Sequence, residues 1–94
     1  MHFVIHAVDR PDALEIRAKH YRAHRIHLDD ASRHGITVMT AGTLVAGDRE
    51  TPVGSLFILE AQNRAVIDAF TDGDPYRVNG VWERVDVHYY NKKR

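Results

Sequence analysis

The chain has 94 residues, with 13 Lys and Arg set against 13 Asp and Glu, seven His and no Cys. Such a length fits one domain, residues 1–94, whose small core makes self-association an effective way to bury more surface. Balanced charge argues against nucleic acid as the main partner, and the lack of Cys excludes disulfides, a thiolate nucleophile and a Cys-ligated zinc site.

The β-branched and aromatic run from His2 to Val8, closed by Asp9-Arg10-Pro11-Asp12, predicts a first strand and a turn. Asp12, with Glu15 three residues on, has the spacing of a capping box. A helix of roughly six turns is expected from there to Gly35, a glycine suited to ending it. Two strands follow, Ile36 to Val45 and Gly54 to Ala61, joined through the turn-forming Gly47-Asp48-Arg49-Glu50. Asn63 caps a short helix through Phe70, which Asp72-Gly73-Asp74-Pro75 terminates, and Val81 to Tyr90 is the last strand. The N-terminus reads as mature structure and not as a signal peptide, and no stretch approaches the roughly 20 apolar residues of a membrane span. The cytoplasm is the expected location.

The order βαββαβ is that of the α+β ferredoxin-like fold, a four-stranded antiparallel sheet with two helices on one face. In the last strand Val85, Val87 and Tyr89 alternate with Trp82, Arg84, Asp86 and His88. The second sheet face would then carry Trp82, Met39, Leu56 and Ile58, which need cover, so a homodimer or larger homo-oligomer packed through that face is expected.

His20, His24 and His27 lie on one face of the first helix, at spacings of four and three. Leu14, Ala18, Tyr21 and Leu28 form an apolar stripe expected to face the sheet, with the histidines along its edge. Three readings compete. The histidines are plain surface residues; or two of them share a metal ion, although no Glu stands between them as in the zinc hydrolase pattern; or one pairs with a carboxylate for acid/base work. Asp74 is the candidate carboxylate, because Pro75 holds its backbone extended and gives its side chain a defined direction; Asp72 and Asp74 as simple turn residues are the alternative. Arg17, Arg22 and Arg25 are either anion-binding or merely solvated. Ser55 sits in no nucleophile motif, and no phosphate loop, dinucleotide fingerprint or flavin motif occurs.

Asp9-Arg10-Pro11, Arg17, Arg22-Ala23-His24, Leu28, Gly35, Ala41-Gly42, Gly54-Ser55-Leu56, Asp74-Pro75-Tyr76 and Gly80-Val81 together resemble the YciI-like (YCII-related) family over nearly the whole chain. That resemblance implies a dimeric ferredoxin-like fold, a dimeric α+β barrel, and a His–Asp dyad carried by His24 and Asp74. Tyr21 stands where the family commonly has Arg, and Thr43 where it commonly has Pro. Members with an assigned reaction resemble accessory enzymes of aromatic breakdown, including dehydrochlorinases. The expected activity is thus that of a cofactor-free lyase or isomerase acting on a small aromatic-derived molecule. His24 and Asp74 would be catalytic, and Arg17, Arg22, His27 and Tyr76 would bind substrate. The alternative is a non-catalytic domain that holds a small ligand in the same groove.

Overall fold

The computed structural model describes residues 1–94. Strands β1 (His2–Asp9), β2 (Thr37–Val45), β3 (Pro52–Glu60) and β4 (Trp82–Tyr90) form one antiparallel sheet in the order β2-β3-β1-β4. Helices α1 (Leu14–Asp29) and α2 (Arg64–Asp72) cover one face, and a short helix α3 (Pro75–Val78) precedes β4. This is the ferredoxin-like α+β arrangement.

Period-two alternation selects the core. Phe3, Ile5 and Ala7 of β1 and Phe57 and Leu59 of β3 turn towards the helices and are buried, where they meet Ile67 and Phe70 of α2. Asn63 caps α2 as expected, its side chain accepting the Val66 N–H at 3.0 Å.

The first helix departs from expectation at both ends. Asp12 adopts φ 58°, a left-handed turn conformation open to Asp, so its carboxylate does not cap; Ala13 occupies the cap position without a side-chain bond. The α pitch ends at Asp29, and a 3₁₀ turn, Ala31–His34, continues to Gly35, whose φ of 74° lets the chain reverse into β2.

Helix α3 was not anticipated, because Asp74-Pro75 reads as a stop. The same pair is also a helix start: Asp74 is extended (φ −64°, ψ 128°), its Oδ1 accepts the Tyr76 N–H at 2.9 Å, and Pro75 takes the first helical position, where an N–H has no partner to lose.

Trp82 lies on the opposite side of the sheet from the one expected. The pairing of β1 with β4 slips between Val8 and Asp9, so that Val8 faces Arg84 and Asp9 faces Trp82. The bulge inverts the alternation, and Trp82 packs under the helices, only 4% exposed. Met39 falls at a similar irregularity in β2 and is exposed. On the uncovered face, half-buried Val4, Leu56 and Ile58 lie in register with Thr40, Gly42, His6, Asp86 and His88. No helix is long and apolar enough to cross a membrane.

Candidate functional site

Arg17 and His24 are seven residues apart, nearly two full helical turns, so they leave α1 in almost the same direction. That direction is into the protein: Arg17 is 7% and His24 5% exposed, whereas Leu14 and Tyr21, expected to face the sheet, are 54% and 51% exposed. The helix is thus rotated relative to the reading from apolar residues alone. Buried polar groups are tolerated only with partners, and both have them.

The guanidinium of Arg17 donates through NH2 to the Gly54 carbonyl (3.0 Å) and Ser55 Oγ (3.1 Å), and through NH1 to Asp9 Oδ2 at 3.4 Å. Burial raises the Asp9 carboxyl above its ordinary range, an effect that the Arg17 charge partly offsets. Ser55, discounted as a nucleophile, is a buried hydrogen-bond partner of Arg17.

His24 Nδ1 lies 2.8 and 2.9 Å from the two carboxylate oxygens of Asp74, within hydrogen-bond distance of both. A carboxylate oxygen at Nδ1 favours the tautomer with the proton on Nδ1, which in the neutral imidazole leaves the Nε2 lone pair free. The ring plane is set by packing: Tyr76 stacks on it at 4.0 Å with a 6° interplanar angle, Phe57 tilts against it at 5.8 Å and Trp82 meets it edge-on at 6.1 Å. The Arg17 guanidinium carbon lies 4.9 Å from the centre of the other neighbour in this stack, the Tyr76 ring. Burial raises the Tyr76 phenol pKa, an effect that the Arg17 charge partly offsets.

A cavity of about 610 Å³ opens between α1 and the β2-β3 hairpin. His24, Arg17, Tyr76 and Ser55 form its polar lining, Leu14, Leu28, Val38 and Phe57 its apolar wall, and Tyr21, Arg25 and Asp29 also line it. Asp74 stands behind His24, out of the cavity. Ala41, Gly42 and Thr43 of β2 line the cavity as well, Gly42 through its backbone, since its pairing with Leu56 turns its missing side chain to the uncovered face.

Two residues expected at the site are elsewhere. Arg22 is exposed on another face of α1, two positions and thus about 160° around the helix from His24. His27 turns towards α2: its Nε2 donates to the Phe70 carbonyl at 2.7 Å and its ring stacks on Phe70 at 4.1 Å. It thereby ties two helices together. No three His, Asp or Glu side chains gather as a metal-ligating group.

Sheet, helices and cavity define a small ferredoxin-like α+β protein with a buried His–carboxylate pair at a side pocket. The chain belongs to the YCII-related domain family, whose model matches residues 1–91. The protein YciI of Escherichia coli is 35% identical over 97 aligned positions and covers 98% of both chains, and YciI of Shigella flexneri matches equally. Among solved structures, 5-chloro-2-hydroxyhydroquinone dehydrochlorinase (TftG) from Burkholderia phenoliruptrix, in complex with 2,5-dihydroxybenzoquinone, superposes with a TM-score of 0.86 at 25% identity, over 97% of this chain and 94% of that one. Rv0793 from Mycobacterium tuberculosis, at TM-score 0.51 and 14% identity over 98% of this chain and 95% of that one, shares the fold alone.

Proposed function

We propose that this protein is a cofactor-free lyase of the dehydrochlorinase type, or an isomerase, acting on a small aromatic-derived molecule. The observation that carries the reading is the His24–Asp74 contact: an imidazole on the cavity wall, held by a carboxylate at Nδ1, with Nε2 unpartnered in the chain. In this reading Nε2 of His24 takes a proton from the bound substrate. The electron pair released expels chloride from the adjoining carbon in the lyase case, for a net loss of HCl, or returns to a different carbon with the same proton in the isomerase case. Asp74 keeps the imidazole in one tautomer and stabilises the imidazolium that forms. Tyr76 stacks on the imidazole and is itself met by the Arg17 guanidinium, and the two give a polar edge to the cavity. The dehydrochlorinase neighbour and its quinone ligand support this chemistry over other uses of a His–Asp pair.

The protein is further proposed to act as a homodimer packed through the uncovered sheet face, where Val4, Leu56 and Ile58 need cover. Light scattering over a range of concentrations should return twice the chain mass; a monomer throughout removes the dimer from the proposal.

The test of the chemistry is chloride release from 5-chloro-2-hydroxyhydroquinone and related chlorinated hydroxyquinols, quinones and lactones. Wild-type turnover with a loss of about 10²–10⁴ in His24→Ala supports the assignment. Binding without turnover in any of them makes the domain a ligand carrier instead.

A further inference from the structure

Three arginines on α1 are candidates to meet a substrate anion, and the structure separates them. Arg17 is committed within the protein: three of its hydrogen bonds go to Asp9, Gly54 and Ser55, and its charge is matched by the buried Asp9. Arg22 does not line the cavity. Arg25 does, and no carboxylate lies within ion-pair distance of it, although the Asp29 charge one turn along α1 acts on it from further off. Its one side-chain bond runs from NH1 to the Tyr21 hydroxyl, at 2.8 Å. The Nε and NH2 hydrogens of Arg25 remain free, and because Tyr21 accepts from Arg25, its own O–H is free to donate as well. Two donors of complementary geometry for a carboxylate thus stand side by side on the cavity lining. Asp29, one turn further along α1, also lines the cavity and limits how much negative charge this end tolerates.

Helix geometry supplies the direction. Consecutive residues leave a helix about 100° apart, so His24 points into the protein while Arg25 stays at the exposed rim. Leu28, Val38 and Phe57 form an apolar stretch of the same cavity, suited to a ring.

Resting on the reading of the cavity as a substrate site, we propose that Arg25, assisted by Tyr21, is the specificity-determining residue for a singly charged carboxylate on the substrate. The ligand class is a small aromatic or ring-derived monoacid, bound with its carboxylate at the rim and its reacting carbons facing His24.

The test compares binding of 2,5-dihydroxybenzoate with that of its uncharged amide, 2,5-dihydroxybenzamide, by calorimetry on the full chain. The acid should bind about tenfold more tightly at low salt, with the margin shrinking as salt is added. Arg25→Gln should bring the acid down to the affinity of the amide and leave the amide unchanged. Arg25→Lys should keep part of the preference, and Arg22→Gln all of it. Equal affinity for acid and amide in the wild type, a preference that survives Arg25→Gln, or no binding of either probe overturns the proposal. Because the readout is binding, it is separable from the chemistry: His24→Ala should keep the acid preference. A wild type that discriminates but never turns over sinks the lyase reading and leaves Arg25 in place.

Discussion

Nδ1 of His24 lies within hydrogen-bond distance of both oxygens of Asp74, although the two residues are fifty positions apart. One side of the contact comes from the middle of a helix and the other from the cap of a four-residue helix. Asp74 therefore has two tasks: its Oδ1 also accepts the Tyr76 N–H, starting the turn that lays the Tyr76 ring on the imidazole. The cap and the His24 contact share one carboxylate.

These tasks are separable by substitution. Asp74→Asn keeps an oxygen for the Tyr76 N–H and so keeps the cap, but it removes the ionised acceptor that places the proton on Nδ1. On the proposed lyase or isomerase reading, turnover should fall by about 10²–10⁴ while the unfolding midpoint moves little. Asp74→Ala should lose the cap as well, a further cost of about 1 kcal/mol. Turnover rates and thermal melts of the two variants decide the matter, and undiminished turnover in Asp74→Asn would remove Asp74 from the mechanism.

Arg17 is predicted to matter for stability. In Arg17→Leu the Asp9 carboxylate, its side chain only 5% exposed, is left buried without a cation, and the Gly54 carbonyl and Ser55 lose a donor. The expected cost is about 3–5 kcal/mol at neutral pH. The sign of the pH dependence follows from the raised Asp9 pKa. The folded state holds that proton more tightly than the unfolded state does, so stability is higher below the ordinary carboxylate range and declines as pH rises through the raised value. Removing Arg17 takes away the lowering influence, so urea midpoints should show a smaller deficit at mildly acidic pH than at pH 7. A deficit that grows on acidification contradicts this account.

Gly54 is predicted to tolerate no side chain. A Cβ there would lie 2.3 Å from the Ala7 carbonyl oxygen of the neighbouring strand, which is backbone and cannot swing aside. Gly54→Ala should destabilise by about 1–3 kcal/mol, read from denaturant unfolding. It should also disturb the cavity wall, since the Gly54 carbonyl anchors Arg17 and Ser55 is the next residue.

The β2-β3 link carries its own pH signature. Asp48 accepts from the N–H groups of Glu50 and Thr51 and from the Thr51 hydroxyl, and these bonds, the hydroxyl first, lower its pKa to about 2. The stabilisation is complete above the ordinary value of 3.8 and is lost as pH falls through about 2. The Thr51 amide proton resonance should titrate at that lower value in the wild type and show no such step in Asp48→Asn. A midpoint near the ordinary Asp value would show that the turn is not formed.

Much of the architecture is legible locally. The β-branched and aromatic run from His2 to Val8 and the run from Gly54 to Ala61, each beside a turn-forming cluster, mark strands, Asn63 marks a helix start, and Gly35 marks a helix end. Where local reading fails, something distant has intervened. The β-bulge beside Asp9 moves Trp82 to the other face, although nothing in the strand itself signals a skipped residue. The face of α1 is misjudged because Leu14 and Tyr21 outrank Arg17 and His24 in hydropathy. The helix buries the latter pair because partners await them on β1, β3 and α3.

Sequence alone determined which groups are available: one long helix rich in Arg and His, an Asp-Pro-Tyr turn, strands of alternating character and a family pattern spanning nearly all residues. The family pattern named His24 and Asp74 as partners, but only the tertiary structure brought that pair into contact and decided which of the other groups meet. Arg17 and Ser55 are separated by 38 positions and His24 and Asp74 by 50. At such separations the pairing is set by sheet register and helix rotation together. The physical reason is that periodicity ranks helix faces by their average dislike of water, whereas a buried imidazole or guanidinium is stabilised by the particular acceptor that folding brings to it.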